Sequence, residues 1–272
     1  PAFVHALHHP AVARFLEEVP PPWMLKPRAE ASSIGIRKLT SAGEVWQALE
    51  GLGDLQSHYL LERFVDGDVF HVDGVVEGGE VAFAEANGYL RPLFQIAQQG
   101  GVFATRTLPR EAPATLELLA AHRRVIAALR LRRGVTHTEF IRGRADGKLY
   151  FLETAARAAG AHITDLVEAA TGVDLWAEWA RLELYLDRAP RPSPPRQGDY
   201  GGLLLSLARQ EHPDTSAYDD PEIVRRIEVP HHVGFVLRAP SPERVEALLR
   251  SYVPRVQADF QATLPPLGNQ RT

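Results

Sequence analysis

The chain has 272 residues, a formal net charge of −4 from 34 acidic and 30 basic side chains, and no Cys. The absence of Cys excludes disulfides, thiolate metal sites and a cysteine nucleophile. The charge balance argues against nucleic-acid binding, and no stretch resembles a membrane span or a signal peptide, so we expect a cytoplasmic protein without nucleic-acid or membrane partners.

The first third of the chain predicts one helix and several strands. Residues 1–22 end in three consecutive Pro and indicate a leading segment rather than a domain. The apolar run 23–27 predicts a strand that ends at Lys26 and Pro27, before a loop of small residues. Thr40 or Ser41 is an N-cap for a helix that reaches about Leu52.

The middle of the chain alternates strand and helix patterns. Segments 58–65, 69–76 and 80–86 predict three antiparallel strands in a meander, because Gly-containing turns separate them. The stretch 88–110 has no clear period and predicts a loop. A helix over 112–133, a hairpin of strands 134–142 and 148–154, and helices at about 162–171 and 174–187 follow.

A Pro-rich stretch, 188–197, predicts a linker to a smaller region. That region contains strands at 201–208 and 232–238 and a helix at about 241–252. The fold class is therefore α+β, with one domain over 1–187 and a small C-terminal α+β lobe over 199–264.

Lys26 is the first candidate for chemistry. The chain has 27 Arg and only three Lys, so a Lys inside an apolar run indicates that a compact ammonium is needed there. With the small residues after it, including Ser32 and Ser33, it suits phosphate oxygens. The alternative is an ordinary surface Lys beside a turn.

Glu139 and Glu153 form the second candidate site. Both are flanked by apolar residues on the two strands of the hairpin, and a turn centred on Asp146 places them opposite each other. Like charges in that position destabilise a sheet unless a cation such as Mg²⁺ lies between them. The alternative is that one points outward and pairs with Arg.

Arg157, four residues after Glu153, is the third candidate. An Arg beside a metal–phosphate site neutralises a transferred phosphoryl group or holds a carboxylate. Taken alone, however, one Arg among 27 favours a structural role.

Taken in order, these motifs resemble the ATP-grasp superfamily, and within it the carboxylate–amine ligases. The resemblance covers about residues 20–185. It is carried by residues 23–28 with the loop that follows, and by residues 61–67, 138–140 and 151–157. It implies the ATP-grasp fold, in which two α+β subdomains with antiparallel sheets enclose the nucleotide, and a Rossmann-like domain upstream.

The resemblance also implies roles for individual residues. Lys26, Ser32 and Ser33 would contact the phosphates of ATP, whereas Glu62, Phe64 and Val65 would line the adenine. Glu139 and Glu153 would bind Mg²⁺, and Glu153 and Arg157 would act in catalysis. In these roles ATP activates a small carboxylate as an acyl phosphate, and an amine then displaces the phosphate to form the new bond to the acyl carbon.

Departures from the family pattern leave alternatives open. Ala155 stands where a metal-binding Asn is usual, and Val69 where an acidic residue contacts the ribose, a role that His71 or Asp73 could take. The alternatives are a biotin-carboxylase-like enzyme that activates bicarbonate, and a nucleotide-binding module without catalysis. Substrate identity and oligomeric state, a homodimer among the options, stay open, and Tyr89 is a candidate for substrate contact.

Overall fold

The computed structural model describes residues 1–30, 34–184 and 198–262. Within these ranges the chain forms two compact units. Unit 1 contains Pro1–Gly67 and Ile141–Phe151, and unit 2 contains Asp68–Phe140 and the described residues from Leu152 onward. The described residues form two antiparallel sheets, and this confirms the α+β class.

Unit 1 is built on a sheet of four antiparallel strands, as far as the described residues show, in the order β1-β4-β2-β3. Its elements are β1 (Phe3–His5), α1 (His9–Glu18), β2 (Trp23–Pro27), β3 (Arg37–Leu39), α2 (Ala42–Leu52) and β4 (Tyr59–Arg63), with a 3₁₀ helix over Gly53–His58. Its core joins Trp23 and Leu25 of the sheet to Val12 of α1 and Leu49 of α2.

Helix α2 begins where the sequence predicts it. The Ser41 side chain accepts a hydrogen bond from the backbone N–H of Glu44, and Glu44 in turn accepts one from the backbone N–H of Thr40. The Ser41 hydroxyl thus satisfies one N–H that the first turn leaves without a partner, and Glu44 reaches back to the residue before the N-cap, an arrangement close to a capping box.

Unit 2 is built around a larger antiparallel sheet, with the order β11-β12-β10-β7-β6-β5-β8-β9 for the eight strands that the described residues contain. The strands are β5 (Gly67–Glu77), β6 (Glu80–Tyr89), β7 (Phe103–Thr107), β8 (Gly134–Gly143), β9 (Leu149–Ala155), β10 (Tyr200–Leu207), β11 (Ile223–Arg226) and β12 (His232–Ala239). The helices are α3 (Leu93–Gln99), α4 (Pro113–Leu129), α5 (Ile163–Thr171), α6 (Leu175–Leu184) and α7 (Pro242–Asp259).

Strand β10 is covered by a helix on each face. Leu203 belongs to a cluster with Leu166 of α5, whereas its neighbour Leu204 belongs to a cluster with Leu249 of α7. Successive side chains of a strand point to opposite faces, so one strand contributes to two cores. β10 also pairs with β7, and the C-terminal residues are therefore continuous with the main sheet.

The predicted boundary between 187 and 199 therefore does not divide the compact units, because α5 lies before it and packs on β10 after it. The modules 1–187 and 199–264 stay a prediction about domain organisation. Residues 185–197 and 263–264 lie outside the described part of the chain.

Three expectations about elements were wrong. Strand β4 joins the sheet of unit 1 instead of a meander with β5 and β6. The expected loop 88–110 contains α3 and β7, and the leading segment contains β1 and α1. The hairpin of β8 and β9, the pair of β5 and β6, and helix α5 are confirmed within one to three residues.

Candidate functional site

Lys26 and Glu62, predicted at the phosphates and the adenine, lie together in unit 1. The antiparallel register places them on neighbouring strands β2 and β4, and Lys26 Nζ lies 3.1 Å from Glu62 Oε2. Their side chains are 14% and 10% exposed, so the pair is largely buried. Phe64 and Val65 follow β4 and are half-buried, whereas Ser32 and Ser33 lie outside the described residues.

Glu139 and Glu153 lie on β8 and β9 of unit 2, which are neighbours in the sheet. Thr138 Oγ1 lies 2.8 Å from Thr154 Oγ1, and these residues adjoin the two glutamates. Because side chains alternate along a strand, a threonine pair on one face directs Glu139 and Glu153 to the other. Glu139 is mostly buried and Glu153 is exposed.

Two side chains that the sequence did not assign to the metal site surround Glu139. The Tyr89 hydroxyl, predicted near the substrate, donates a hydrogen bond of 2.7 Å to Glu139 Oε1. His137 Nε2 lies 3.6 Å from the same oxygen. His137 and Glu139 are two apart on β8, and polar residues with a period of two in an apolar strand are the signal that could have identified His137.

These contacts change the ionisation of the groups. Burial alone raises the pKa of the Glu139 carboxyl, but the hydrogen bond and charge of His137 and the Tyr89 hydroxyl outweigh it, so the pKa is lowered. The pKa of Tyr89 is raised by burial and then by the negative charges of Glu139, Asp73 and Glu153. The site therefore presents an ionised carboxylate at Glu139, with a second carboxylate nearby.

His71 and Asp73, predicted near the ribose, are fully buried on β5. Asp73 Oδ2 lies 2.7 Å from His71 Nδ1, and Asp73 Oδ1 lies 2.8 Å from His137 Nδ1. Neither side chain is exposed, and their place at the ribose stays a prediction. Donor atoms of the three side chains lie within 4.8 Å of one another. The Nδ1 atoms of both imidazoles are hydrogen-bonded to Asp73, so the group is a hydrogen-bonded cluster.

The charges within this group stabilise one another. Burial raises the pKa of Asp73, but the nearby His71 and His137 outweigh that effect and lower it. Burial lowers the pKa of His137, yet Asp73 and Glu139 together raise it above its usual value. His137 is therefore an imidazolium at neutral pH, and it donates through Nδ1 to Asp73.

Arg157 follows β9 and is exposed. Its Nη1 donates to the backbone oxygen of Ala158 at 2.9 Å. Further along this segment, Ala161 and His162 have φ angles of 51° and 63°, a region that non-glycine residues rarely adopt. His162 occupies the N-cap position of α5, and its Nδ1 lies 2.6 Å from Asp165 Oδ2.

Comparison with known proteins agrees with this architecture. The chain superposes on a carboxyaminoimidazole ribonucleotide synthase from Aspergillus clavatus, complexed with ATP, with a TM-score of 0.70 and 16% identity, over 95% of this chain and 69% of that one. It superposes on an L-amino acid ligase from Bacillus licheniformis with a TM-score of 0.66 and 16% identity, over 97% and 69%. The chain has the ATP-grasp fold.

A third structural neighbour of this ATP-grasp chain is a biotin carboxylase domain from Hydrogenobacter thermophilus, in complex with MgADP, ADP and bicarbonate. It gives a TM-score of 0.64 at 17% identity, over 95% of this chain and 61% of that one. No family model matches the sequence.

Two curated relatives are named as ligases. An L-arginine-specific L-amino acid ligase of Bacillus subtilis is 27% identical over 173 residues, which are 61% of this chain and 41% of that protein. A D-alanine–D-alanine ligase of Ruthia magnifica subsp. Calyptogena magnifica is 38% identical over 74 residues, 26% of this chain and 24% of that protein. The ATP-grasp chain thus spans less than half the length of the curated relatives that it matches. None of the described helices is long and apolar enough to cross a membrane.

Proposed function

We propose that this ATP-grasp chain is the nucleotide-binding and catalytic part of an ATP- and Mg²⁺-dependent ligase that joins a small carboxylate to an amine. The observation that carries the proposal is the pair Glu139 and Glu153, on neighbouring strands of an ATP-grasp sheet. The names of the two curated relatives support ligase activity.

The donor set fits Mg²⁺. Mg²⁺ prefers carboxylate oxygens together with phosphates, and Glu139 is held ionised by its neighbours. Glu139 and Glu153 would hold the cation, which when bound neutralises charge on the phosphates. The proposed metal role is supported by the placement of both residues on neighbouring strands and by the ionised carboxylate of Glu139.

The reaction is a phosphoryl transfer followed by an acyl transfer. A carboxylate oxygen of the substrate attacks the γ-phosphorus of ATP, and the bond to the bridging oxygen breaks to release ADP. The amine nitrogen then attacks the acyl carbon, phosphate leaves with the bonding electrons, and the nitrogen loses a proton. The protein's part is to position the reactants and neutralise charge, and Lys26 and Arg157 supply cations for the nucleotide phosphates and the acyl phosphate.

Adenine contacts are proposed for Glu62, Phe64 and Val65, and phosphate contacts for Ser32 and Ser33. The upstream Rossmann-like domain, a homodimer and the cytoplasmic location also stay predictions from the sequence.

ADP release tests the function. We expect the full-length protein to release ADP from ATP only with both Mg²⁺ and a carboxylic acid, for which a panel of L-amino acids is the first probe. Glu153→Gln should lower this rate by at least about 10²-fold, because a neutral amide is a poorer ligand for the cation that neutralises charge on the transferred phosphoryl group. Glu211→Gln, at a side chain that is 67% exposed, is the matched control. Unchanged turnover in Glu153→Gln would falsify the proposal.

The likeness to the biotin carboxylase domain favours one alternative, in which bicarbonate is the activated acid. ADP release that requires bicarbonate and is indifferent to amino acids would select it. Binding of ATP without turnover under either condition would instead identify a nucleotide-binding module.

A further inference from the structure

Asp73 stands at the centre of a polar cluster on one face of the unit 2 sheet. Its Oδ2 accepts from His71 Nδ1 at 2.7 Å and from Asn87 Nδ2 at 3.0 Å, while its Oδ1 accepts from His137 Nδ1 at 2.8 Å. His71 is held in turn by Thr105, whose Oγ1 lies 2.8 Å from His71 Nε2. Strands β5, β6, β7 and β8 thus each contribute to holding one carboxylate.

The cluster ends at Glu139. Because the Nδ1 of His137 is bound to Asp73, the opposite nitrogen, Nε2, faces Glu139 Oε1 at 3.6 Å. The Tyr89 hydroxyl donates to that same oxygen at 2.7 Å. Tyr89 also packs on His71, with ring centroids 4.6 Å apart. Tyr89 and His137, which both approach Glu139 Oε1, are therefore each in contact with a member of the cluster.

Stability alone is a weak reason for such a cluster. A fully buried carboxylate between two imidazoles costs desolvation that apolar side chains of similar size would avoid. The polar arrangement instead orients the side chain of Glu139. Its groups engage Oε1, so the two oxygens of that carboxylate are no longer equivalent.

We propose that Asp73 is a positioning residue that orients Glu139 through His137, so that Glu139 Oε1 is occupied within the protein and Oε2 is offered to the divalent cation. This inference rests on the proposed function, in which Glu139 is a metal ligand. Asp73 does not touch the cation or the substrates; it acts through the imidazole of His137. Partners that orient metal ligands commonly contribute 10- to 100-fold in metal affinity.

Mn²⁺ binding tests the proposal without relying on turnover. The protein is titrated with Mn²⁺ in the presence of the non-hydrolysable analogue AMPPNP, and the bound ion is followed by electron paramagnetic resonance. Asp73→Asn should weaken protein-dependent Mn²⁺ binding by about 10- to 100-fold. The affinity of the variant for AMPPNP in EDTA should stay within about twofold of the wild-type value. General damage to the fold would instead lower the affinities for both Mn²⁺ and AMPPNP.

A second variant covers the case in which Asp73→Asn fails to fold. His137→Asn keeps a donor close to the position of Nδ1, and so the bond to Asp73, but removes the nitrogen that faces Glu139. It should weaken Mn²⁺ binding as much as Asp73→Asn. Glu77→Gln, a carboxylate-to-amide change on the same strand whose partner is Arg181, should leave Mn²⁺ binding unchanged.

Each outcome is decisive. Wild-type Mn²⁺ affinity in folded Asp73→Asn or in His137→Asn overturns the positioning role and leaves the proposed function standing. Absence of protein-dependent Mn²⁺ binding in the wild type overturns both. A variant that loses AMPPNP affinity in EDTA together with Mn²⁺ affinity also overturns the positioning role, because the cluster would then stabilise the fold in general.

Discussion

At the scale of single residues, His122 on α4 is an ionisable group that burial keeps neutral. It is fully buried, its Nδ1 lies 3.2 Å from Thr138 Oγ1, and burial lowers the pKa of the imidazole to about 4. In the unfolded chain the group titrates near its ordinary value of 6.5. Between these two pH values the unfolded chain therefore binds a proton that the folded chain does not.

This difference predicts a pH dependence of stability. The contribution of His122 is fully present above pH 6.5 and is lost as the pH falls towards 4, by about 3 kcal/mol in the free energy of unfolding. We expect His122→Gln to have a shallower loss than the wild type over this interval in urea unfolding at several pH values. His212→Gln, at a side chain that is 81% exposed, is the control. Parallel curves for the wild type and His122→Gln would contradict the assignment.

At the scale of elements, the hairpin of β8 and β9 is tied by side chains as well as by its backbone. Thr138 Oγ1 contacts Thr154 Oγ1 on the neighbouring strand and His122 Nδ1 on α4. One hydroxyl therefore links two strands and a helix, directly beside the predicted metal ligand Glu139.

Replacing Thr138 by Val keeps the shape and removes the hydroxyl. We expect Thr138→Val to lower the free energy of unfolding by about 1–3 kcal/mol, because the buried imidazole of His122 loses its hydrogen-bond partner and the partly buried Thr154 hydroxyl loses one of two. Thr138→Ser retains the hydroxyl and should lose less. Urea unfolding at pH 7 measures both; equal stability of wild type and Thr138→Val would show that the hydroxyl contributes nothing.

At the scale of the whole molecule, the sheet of unit 2 joins residues from both sides of the Pro-rich stretch 188–197. Strand β10 pairs with β7 and is covered by α5 on one face and α7 on the other. A chain that ends near residue 187 would expose the edge of β7 and the apolar face of α5, including Leu166.

This continuity predicts the behaviour of a fragment. Residues 1–187 alone should aggregate or lack a cooperative thermal transition, because an open strand edge and uncovered apolar side chains favour association. Circular dichroism melting and gel filtration, compared with the 272-residue chain, provide the measurement. A monomeric fragment with a cooperative transition would instead support 1–187 as an independent domain.

Local patterns in the sequence determined many of the helices, strands and turns of this protein. The capping residues of α2, the turn between β8 and β9, and the placement of Glu139 and Glu153 on adjacent strands depend on residues that are close along the chain. The ATP-grasp resemblance was visible for the same reason, because its motifs are short and occur in a fixed order.

Only the tertiary structure decided the rest. Strand β4 could pair with either sheet as far as its own residues show, and its partners β1 and β2 are set by packing. The bond from His137 to Asp73 spans 64 residues and forms only when β5 and β8 lie in one sheet. Periodicity shows which way a side chain points but not which distant group it meets, and therefore the cluster around Asp73 emerged only from the folded chain.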